Sequence, residues 1–233
     1  MRQIFLDTET TGLSPEAGDR IVEIGCLEMI DRRRTGNDKH YYLNPERPSS
    51  EGAAKVHGLT DEFLADKPRF AEIADELLAY LAGAEVVIHN AAFDVGFLDA
   101  ESQRLGLPRL AGHVLSITDT LLMARNLFPG KSNSLDALCK RLDVDNTHRT
   151  LHGAMLDAGL LAEVYVRMTR GQDSLAIEVQ EGASGAMAMS MVDLAGLPLF
   201  PVPVSADERA AHEAVLVDLE KASGGRALWR RLA

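Results

Sequence analysis

The chain has 233 residues, of which 46% are hydrophobic and 25% are charged, and its formal net charge at pH 7 is −11. These proportions are typical of a globular protein with one domain of ordinary size and an appendage. The negative charge excludes a protein that grips nucleic acid through a broad basic surface. Any nucleic-acid chemistry must therefore depend on metal ions and a few local contacts.

No stretch of the sequence is apolar for long enough to span a membrane, and residues 1–4 lead into a predicted strand rather than a signal peptide. Cys26 and Cys139 each lie inside a predicted element, so we expect no disulfide framework. These features predict a reduced, cytoplasmic protein without a membrane partner.

Apolar or alternating runs bounded by turn residues predict five strands, at residues 3–8, 20–30, 40–43, 85–89 and 114–117. Residues 31–39 are expected to form the turn of a hairpin. Apolar residues at helical spacing predict helices at residues 70–81, after Asn90, and at residues 120–127, 134–142 and 153–169. Asn90 and Ser134 are the expected caps. This order predicts an α/β fold, with a mixed five-stranded sheet flanked by helices.

The composition changes after Glu178, which ends a predicted first domain at residues 1–178. Residues 179–205 are rich in small residues and proline without periodicity, so we expect a flexible linker. Residues 206–233 contain a short predicted helix and the only tryptophan, Trp229. A tail this short cannot bury a tryptophan alone, and tryptophan is favoured at interfaces. The tail either docks on a partner, which we favour, or folds back on its own domain.

Two carboxylates stand at the end of the first predicted strand, in the stretch Asp7-Thr8-Glu9. Side chains two residues apart on a strand share a face, so Asp7 and Glu9 point together and Thr8 points to the other face. Two like charges held close together favour a bound cation. The alternative is a strand that merely becomes polar as it meets a turn at Gly12.

Three further residues are candidates for the same chemistry. Asp94 lies four residues after Asn90, although an acid in the first turn of a helix is also explained by the helix dipole. His152 and Asp157 are five residues apart, an offset of about 140° on a regular helix. They can converge only if the helix starts between them, which Gly153 permits. Otherwise His152 is a solvated loop residue.

These motifs together resemble the DEDD exonucleases, specifically their histidine-containing branch. Within that branch the chain is most similar to the proofreading subunits of bacterial replicative DNA polymerases, and the resemblance covers nearly the whole chain. The segments that carry it are residues 7–12, 87–94, 128–139, 149–153 and 161–165. Each motif is weak alone, but their order and spacing together are specific.

The resemblance implies a ribonuclease H-like fold with a central first strand. It also implies a 3′→5′ DNA exonuclease that removes mispaired nucleotides and releases nucleoside 5′-monophosphates. The candidate ligands of two Mg²⁺ or Mn²⁺ ions are Asp7, Glu9, Asp94 and Asp157. His152 would be the general base, because imidazole exchanges protons near neutral pH.

The resemblance also assigns substrate contacts and partners. His57 would contact the bound nucleotide, together with Asp7, Glu9 and Asp157. A substrate-contacting glutamate of the family is replaced here by Gly52, with Glu51 displaced by one position, so that role is not transferred. Residues 172–177 resemble a sliding-clamp-binding peptide, with Gln172, Ser174 and Leu175 as the contacts.

The partner assignments have alternatives. Ile177 replaces a more usual aromatic residue in the clamp-binding pattern, and the simpler interpretation of that segment is a loop at a helix end. The tail would dock on the polymerase catalytic subunit, and the DNA partner would be a single-stranded or frayed primer 3′ end.

Two rival functions remain open from the sequence. One is a related exoribonuclease that acts on RNA ends with the same carboxylates, although such an enzyme needs no linker and docking helix. The other is a non-catalytic subunit that bridges polymerase and clamp, although the complete set of four acids and a histidine argues against it.

Overall fold

A computed structural model describes residues 1–170, 204–224 and 229 of the chain. The chain divides into two compact units, Met1–Ile177 and Glu178–Ala233. In the described ranges, no helix combines the length and the apolar character that crossing a membrane requires.

The described part of the first unit contains six strands and seven α-helices. The strands are β1 (Arg2–Thr10), β2 (Ile21–Ile30), β3 (Arg33–Arg34), β4 (Lys39–Tyr42), β5 (Glu85–Ile88) and β6 (Ser116–Asp119). The helices are α1 (Glu51–His57), α2 (Asp61–Leu64), α3 (Phe70–Leu81), α4 (Ala91–Arg104), α5 (Thr120–Leu127), α6 (Leu135–Arg141) and α7 (Ala154–Met168). A 3₁₀ turn covers Leu110–Gly112.

The strands form one mixed sheet in which β1 is central. β2 pairs antiparallel with one side of β1, β5 pairs parallel with the other side, and β6 pairs parallel with β5. β3 and β4 both pair with the outer side of β2. The α/β prediction is confirmed, but the count of five strands was wrong by one within residues 1–170. The extra strand, β3, lies in the predicted turn and is too short to show an alternating pattern.

Two helical layers bury opposite faces of the sheet. Ile4 and Leu6 belong to one core cluster with residues of α3 and α4, whereas Phe5 belongs to a second cluster with residues of α6 and α7. Because side chains alternate along a strand, Thr8 continues the first face and Asp7 and Glu9 continue the second. The core thus determines which helices meet each polar residue at the end of β1.

The two predicted caps differ in outcome. Ser134 caps α6, since its hydroxyl accepts a hydrogen bond from the Ala137 amide at 3.3 Å. Asn90 occupies the cap position of α4, but its φ is 66° and its side chain makes no capping bond. The carboxylate of Asp119 accepts from the amides of Asn90 and Ala91 instead. This cap comes from a neighbouring strand, so local sequence could not indicate it.

The described part of the second unit contains helix α8 (Ala206–Ala222). Ser205 and Glu208 close a capping box at its start, because each side chain accepts a hydrogen bond from the other residue's amide. The predicted linker, residues 179–205, lies outside the described residues except for its last two positions.

Candidate active site

Strand β1 extends beyond the end of its parallel neighbour, β5. The pairing of β1 with β5 reaches only Phe5 and Val87, and β5 ends at Ile88, whereas β2 accompanies β1 to its end. Asp7 and Glu9 therefore lie on a stretch of strand whose one edge is open. An open edge beside two carboxylates gives other elements room to bring further ligands to the same place.

Asp94, in the first turn of α4, reaches β1 across this open edge. Its Oδ1 accepts hydrogen bonds from the Thr8 amide at 3.0 Å and from the Thr8 hydroxyl at 2.7 Å. Thr8 lies on the face opposite Asp7 and Glu9, which α4 covers, and its amide and hydroxyl orient Asp94. This role of Thr8 was missed, because nothing in the sequence connects residues 86 positions apart.

Asp157 and His152 come from the other helical layer. Helix α7 packs against β1 and β2 and begins at Ala154, between the two residues. The amide of His152 donates to the Val56 carbonyl at 3.0 Å, which fixes the loop before the helix. Glu9, His152 and Asp157 each offer a ligand atom, and these atoms lie within 4.8 Å of one another. The helix start required for convergence is therefore present.

Arg149 links these groups, and sequence reasoning gave it no role. Its Nε and Nη2 donate to the two carboxylate oxygens of Asp157 at 2.6 and 2.5 Å. Nη2 also lies 2.9 Å from Nδ1 of His152, and Nη1 donates to Oδ1 of Asp136 at 2.8 Å. The Arg149 side chain is only 7% exposed. The sequence gives two hints, namely that Arg149 lies three residues before His152 and that it begins one of the segments that carry the family resemblance.

The electrostatics of the cluster favour neutral acids or a bound cation. The pKa of Asp7 is raised well above its ordinary value by burial and by the charges of Asp94, Asp157 and Glu9. Burial, Asp157 and Glu23 raise the pKa of Glu9 to about 8. Burial raises the pKa of Asp94 to about 7, although its hydrogen bonds from Thr8 oppose the shift.

The donor set fits a hard divalent cation. Carboxylate oxygens predominate, with one imidazole, and this combination suits Mg²⁺ or Mn²⁺. A cation between the carboxylates would relieve the mutual repulsion that raises their pKa values. Glu9, His152 and Asp157 have atoms close enough to share one ion, while Asp7 and Asp94 stand beside them as electrostatic neighbours.

Two cavities border the carboxylates. The larger, about 630 Å³, has Asp7, His152 and Asp157 in its wall, together with the cationic side chains of Arg125 and Lys131. The smaller, about 380 Å³, is lined by a mixture of polar and apolar residues that includes Glu9, Leu13, Val56, His57 and Phe93. The carboxylates of Asp7 and Asp157 thus line the charged cavity, and that of Glu9 lines the more apolar one.

His57 is buried at the end of α1 and lines the smaller cavity. Its Nδ1 accepts from the Leu59 amide at 3.0 Å. Burial lowers its pKa, although the Glu23 carboxylate and the Thr10 carbonyl oppose that shift. Gly52 lines the same cavity, so the position that lacks the family's glutamate faces it. The predicted clamp contacts Gln172, Ser174 and Leu175 lie outside the described residues.

Comparison with known proteins gives concordant matches. A family model described as Exonuclease matches residues 4–165. The chain is 51% identical over 246 residues to the DNA polymerase III subunit epsilon of Pasteurella multocida (strain Pm70), spanning 100% of this chain and 95% of the relative. It is 51% identical over 239 residues to the subunit of the same name from Escherichia coli (strain K12), spanning 98% of this chain and 97% of the relative.

Solved structures with a similar fold are also exonucleases. Exonuclease X in complex with 5′ overhanging duplex DNA superposes with a TM-score of 0.57 at 28% identity, over 75% of this chain and 95% of that chain. E. coli Exonuclease I in complex with a dT13 oligonucleotide has a TM-score of 0.64 at 20% identity, over 74% of this chain and 41% of that chain. The second likeness is one of fold alone.

Proposed function

The chain belongs to the exonuclease family that includes the epsilon subunits of DNA polymerase III, and we infer that it is a 3′→5′ proofreading exonuclease of the replicative DNA polymerase. Membership of this family implies the use of divalent metal ions. The main structural support for this activity is the convergence of Glu9, His152 and Asp157. Their ligand atoms lie within 4.8 Å of one another, and Asp7 is an electrostatic neighbour of the group.

We propose that Asp7, Glu9, Asp94 and Asp157 hold two divalent cations, Mg²⁺ or Mn²⁺. The four acids come from three elements, β1, α4 and α7, which meet at the open edge of β1. When bound, two such ions supply a water nucleophile at neutral pH and stabilise charge on the leaving 3′ oxygen. The carboxylates orient this chemistry because hydrogen bonds and packing fix them, as Thr8 does for Asp94.

His152 is the proposed general base. Its side chain is 47% exposed, so its imidazole borders both the cavity and the solvent to which a proton must finally go. It would accept the proton of the attacking water while the terminal phosphodiester is cleaved. The bond from phosphorus to the 3′ oxygen breaks, a hydroxyl is added to phosphorus, and the products are a nucleoside 5′-monophosphate and a new 3′ hydroxyl.

The two cavities suit different parts of the substrate. The smaller cavity places His57 beside Leu13, Val56 and Phe93, a polar group among apolar side chains, which suits the sugar and base of a terminal nucleotide. Asp7, Glu9 and Asp157 would contact the scissile phosphate through the bound ions. Arg125 and Lys131 in the larger cavity suit the phosphates of the preceding nucleotides.

The partner assignments are part of the proposal. Residues 206–233 would dock on the polymerase catalytic subunit, because Trp229 is 66% exposed and α8 leaves Val215 and Leu219 exposed. Residues 172–177 would bind the sliding clamp, and residues 179–205 would act as a linker after a nuclease domain at residues 1–178. Partners, rather than a basic surface, would then deliver the primer 3′ end to an acidic protein in the cytoplasmic replication machinery.

The catalytic proposal is tested with Asp7→Ala and a labelled single-stranded DNA. We expect the variant to fold and to lose metal-dependent release of nucleoside monophosphates, since a proposed ligand of the divalent cations is gone. Retained activity in a folded Asp7→Ala variant contradicts the assignment. Matched DNA and RNA oligonucleotides in the same assay decide between this function and an exoribonuclease.

The partner proposal is tested by co-purification with the polymerase subunit. The full chain is compared with a chain that ends at Glu178. We expect the shorter chain to keep its nuclease activity and to lose the complex. Equal binding by both chains would overturn the assignment of the tail, without affecting that of the active site.

A further inference from the structure

Arg149 has an unusual set of contacts for a residue outside the proposed ligand set. Its guanidinium occupies both oxygens of Asp157, with distances of 2.6 and 2.5 Å, and the side chains of the two residues are 7% and 4% exposed. Each oxygen of this carboxylate thus already accepts a hydrogen bond from a fixed positive charge. A metal ion at Asp157 has to share these oxygens with the guanidinium or displace it.

The same guanidinium also engages His152. Arginine has only donors, so in the 2.9 Å contact between Nη2 of Arg149 and Nδ1 of His152 the imidazole nitrogen is the acceptor. That contact uses the lone pair of Nδ1 and leaves the ring proton on Nε2. A single side chain therefore holds both a proposed metal ligand and the proposed base.

Asp136 gives the guanidinium a second partner away from the ligands. Its Oδ1 accepts from Nη1 of Arg149 at 2.8 Å and also from Nδ2 of Asn146 at 3.0 Å. The Asp136 side chain is 57% exposed and lies in the wall of the larger cavity. Arg149 can therefore move toward solvent and keep an ion pair while it releases Asp157.

We propose that Arg149 is a displaceable counter-ion of the metal site. It balances the buried charge of Asp157 and positions His152. When divalent cations bind, it releases its contacts with both residues. This inference rests on the proposed function, because it requires Asp157 to bind a cation. It makes Arg149 a positioning residue that competes with the ions rather than one that supports their binding.

The test compares Arg149→Gln with the wild-type chain in two measurements. Thermal unfolding in the presence of a chelator should show a lower Tm for the variant, because Asp157 loses its buried partner. Calorimetric titration with MnCl₂ should show binding about tenfold tighter than in the wild type, a ratio that corresponds to ~1.4 kcal/mol. A residue with a merely structural role would lower the Tm and leave Mn²⁺ affinity unchanged or weaker.

Two further variants make the test decisive. Arg167→Gln is the matched control, since Arg167 donates to the carbonyls of Leu142 and Asp143 outside both cavities. It should lower the Tm without changing Mn²⁺ affinity. Arg149→Lys keeps the charge but cannot bridge both oxygens of Asp157. Its affinity for Mn²⁺ should therefore lie between that of the wild type and that of Arg149→Gln. It carries the same test if the glutamine variant fails to fold.

The outcomes separate this inference from the proposed function. Mn²⁺ affinity that is unchanged or reduced in both Arg149 variants overturns the counter-ion role while leaving the nuclease assignment intact. A wild-type chain that binds no Mn²⁺ at all overturns both. Tighter binding in the Arg149 variants, with Arg167→Gln unchanged, supports the proposal.

Discussion

Gly25 of β2 and Ala154, the first residue of α7, meet backbone to backbone. A Cβ atom on Gly25 would lie 2.3 Å from the carbonyl carbon of Ala154, closer than side-chain carbons approach a backbone. Gly25 is also the partner of Asp7 in the β1–β2 pairing. The helix that carries Asp157 therefore rests directly on the strand beside Asp7, and only a glycine permits this approach.

Gly25→Ala should move the start of α7 away from the sheet. We expect a loss of about 1–3 kcal/mol in the free energy of unfolding from overpacking. Because misplacing a reacting group by about 1 Å can cost ~100-fold in rate, we also expect exonuclease activity to fall by that order. Chemical denaturation and a single-stranded DNA assay measure the two effects.

Gly159→Ala is the control for this substitution, because Gly159 lies in the same helix and a Cβ there would have no atom within 4 Å. It should stabilise the protein by roughly 0.5–1 kcal/mol, as alanine does in helices, and leave activity unchanged. Equal activity of Gly25→Ala and the wild type would contradict the claim that this contact sets the site.

Thr8→Val removes the hydroxyl that donates to Asp94 while keeping the shape of the side chain. The free energy of unfolding should fall by about 1–2 kcal/mol, since a buried carboxylate loses a hydrogen bond. Affinity for Mn²⁺ should fall about tenfold, because residues that orient metal ligands have effects of that size.

Thr118→Val is the matched control for Thr8→Val. Its hydroxyl donates to the Glu85 carboxylate, and Thr118 lines neither cavity. It should lose stability and keep its Mn²⁺ affinity. If both variants bind Mn²⁺ as the wild type does, Thr8 has no role in orienting Asp94.

Stability without metal should decrease as the pH rises. In the folded chain the pKa of Glu9 is raised to about 8 and that of Asp94 to about 7, mainly by burial, whereas both acids regain ordinary, lower values on unfolding. Between those values the folded state binds more protons than the unfolded state, so the free energy of unfolding falls with rising pH. The stabilisation that these two acids contribute is complete below their pKa values in the unfolded chain. It is lost as the pH rises through their folded pKa values of about 7 and about 8.

Thermal unfolding in a chelator should therefore show a Tm several degrees lower at pH 9 than at pH 6. Glu9→Gln should give a shallower decline, because it removes one of the titrating groups. Saturating Mg²⁺ should raise the Tm more at pH 9 than at pH 6, since cations compete with protons for the same oxygens. A Tm that rises between pH 6 and pH 9 in the chelator would argue against these shifts.

Lys131→Glu should weaken the binding of single-stranded DNA. Lys131 lies in the wall of the larger cavity, and a phosphate contact there contributes favourably through counter-ion release. We expect affinity to fall several-fold and the slope of log K against log salt to become shallower by about 0.7, the value for one contact to a single strand.

Fluorescence anisotropy with Ca²⁺ in place of Mg²⁺ measures this binding. Lys140→Glu is the control, since Lys140 is an exposed residue of α6 that lines neither cavity. The same charge change there should have a smaller effect on the slope. Identical slopes for the two variants would show that only net charge matters.

Local sequence patterns were enough to predict most of the fold. The apolar periodicity of Phe70–Leu81 and the continuous apolar run in β5 depend on short-range patterns, and both elements form where predicted. The short strand β3 was missed because two exposed residues carry no periodicity. The cap of α4 was assigned to Asn90, whereas Asp119 supplies it from another strand.

The sequence by itself determined the residue types of the candidate site, and the alternation along β1 predicted that Asp7 and Glu9 share a face. It could not determine what positions Asp94 and Asp157. Thr8 meets Asp94, and Gly25 meets the start of α7, only when the helical layers pack on the sheet. The hydrogen bonds of Arg149 to Asp157 and His152 are likewise decided by the tertiary structure. Periodicity acts over a few residues, whereas these contacts depend on how a loop enters a helix that packs on a distant strand.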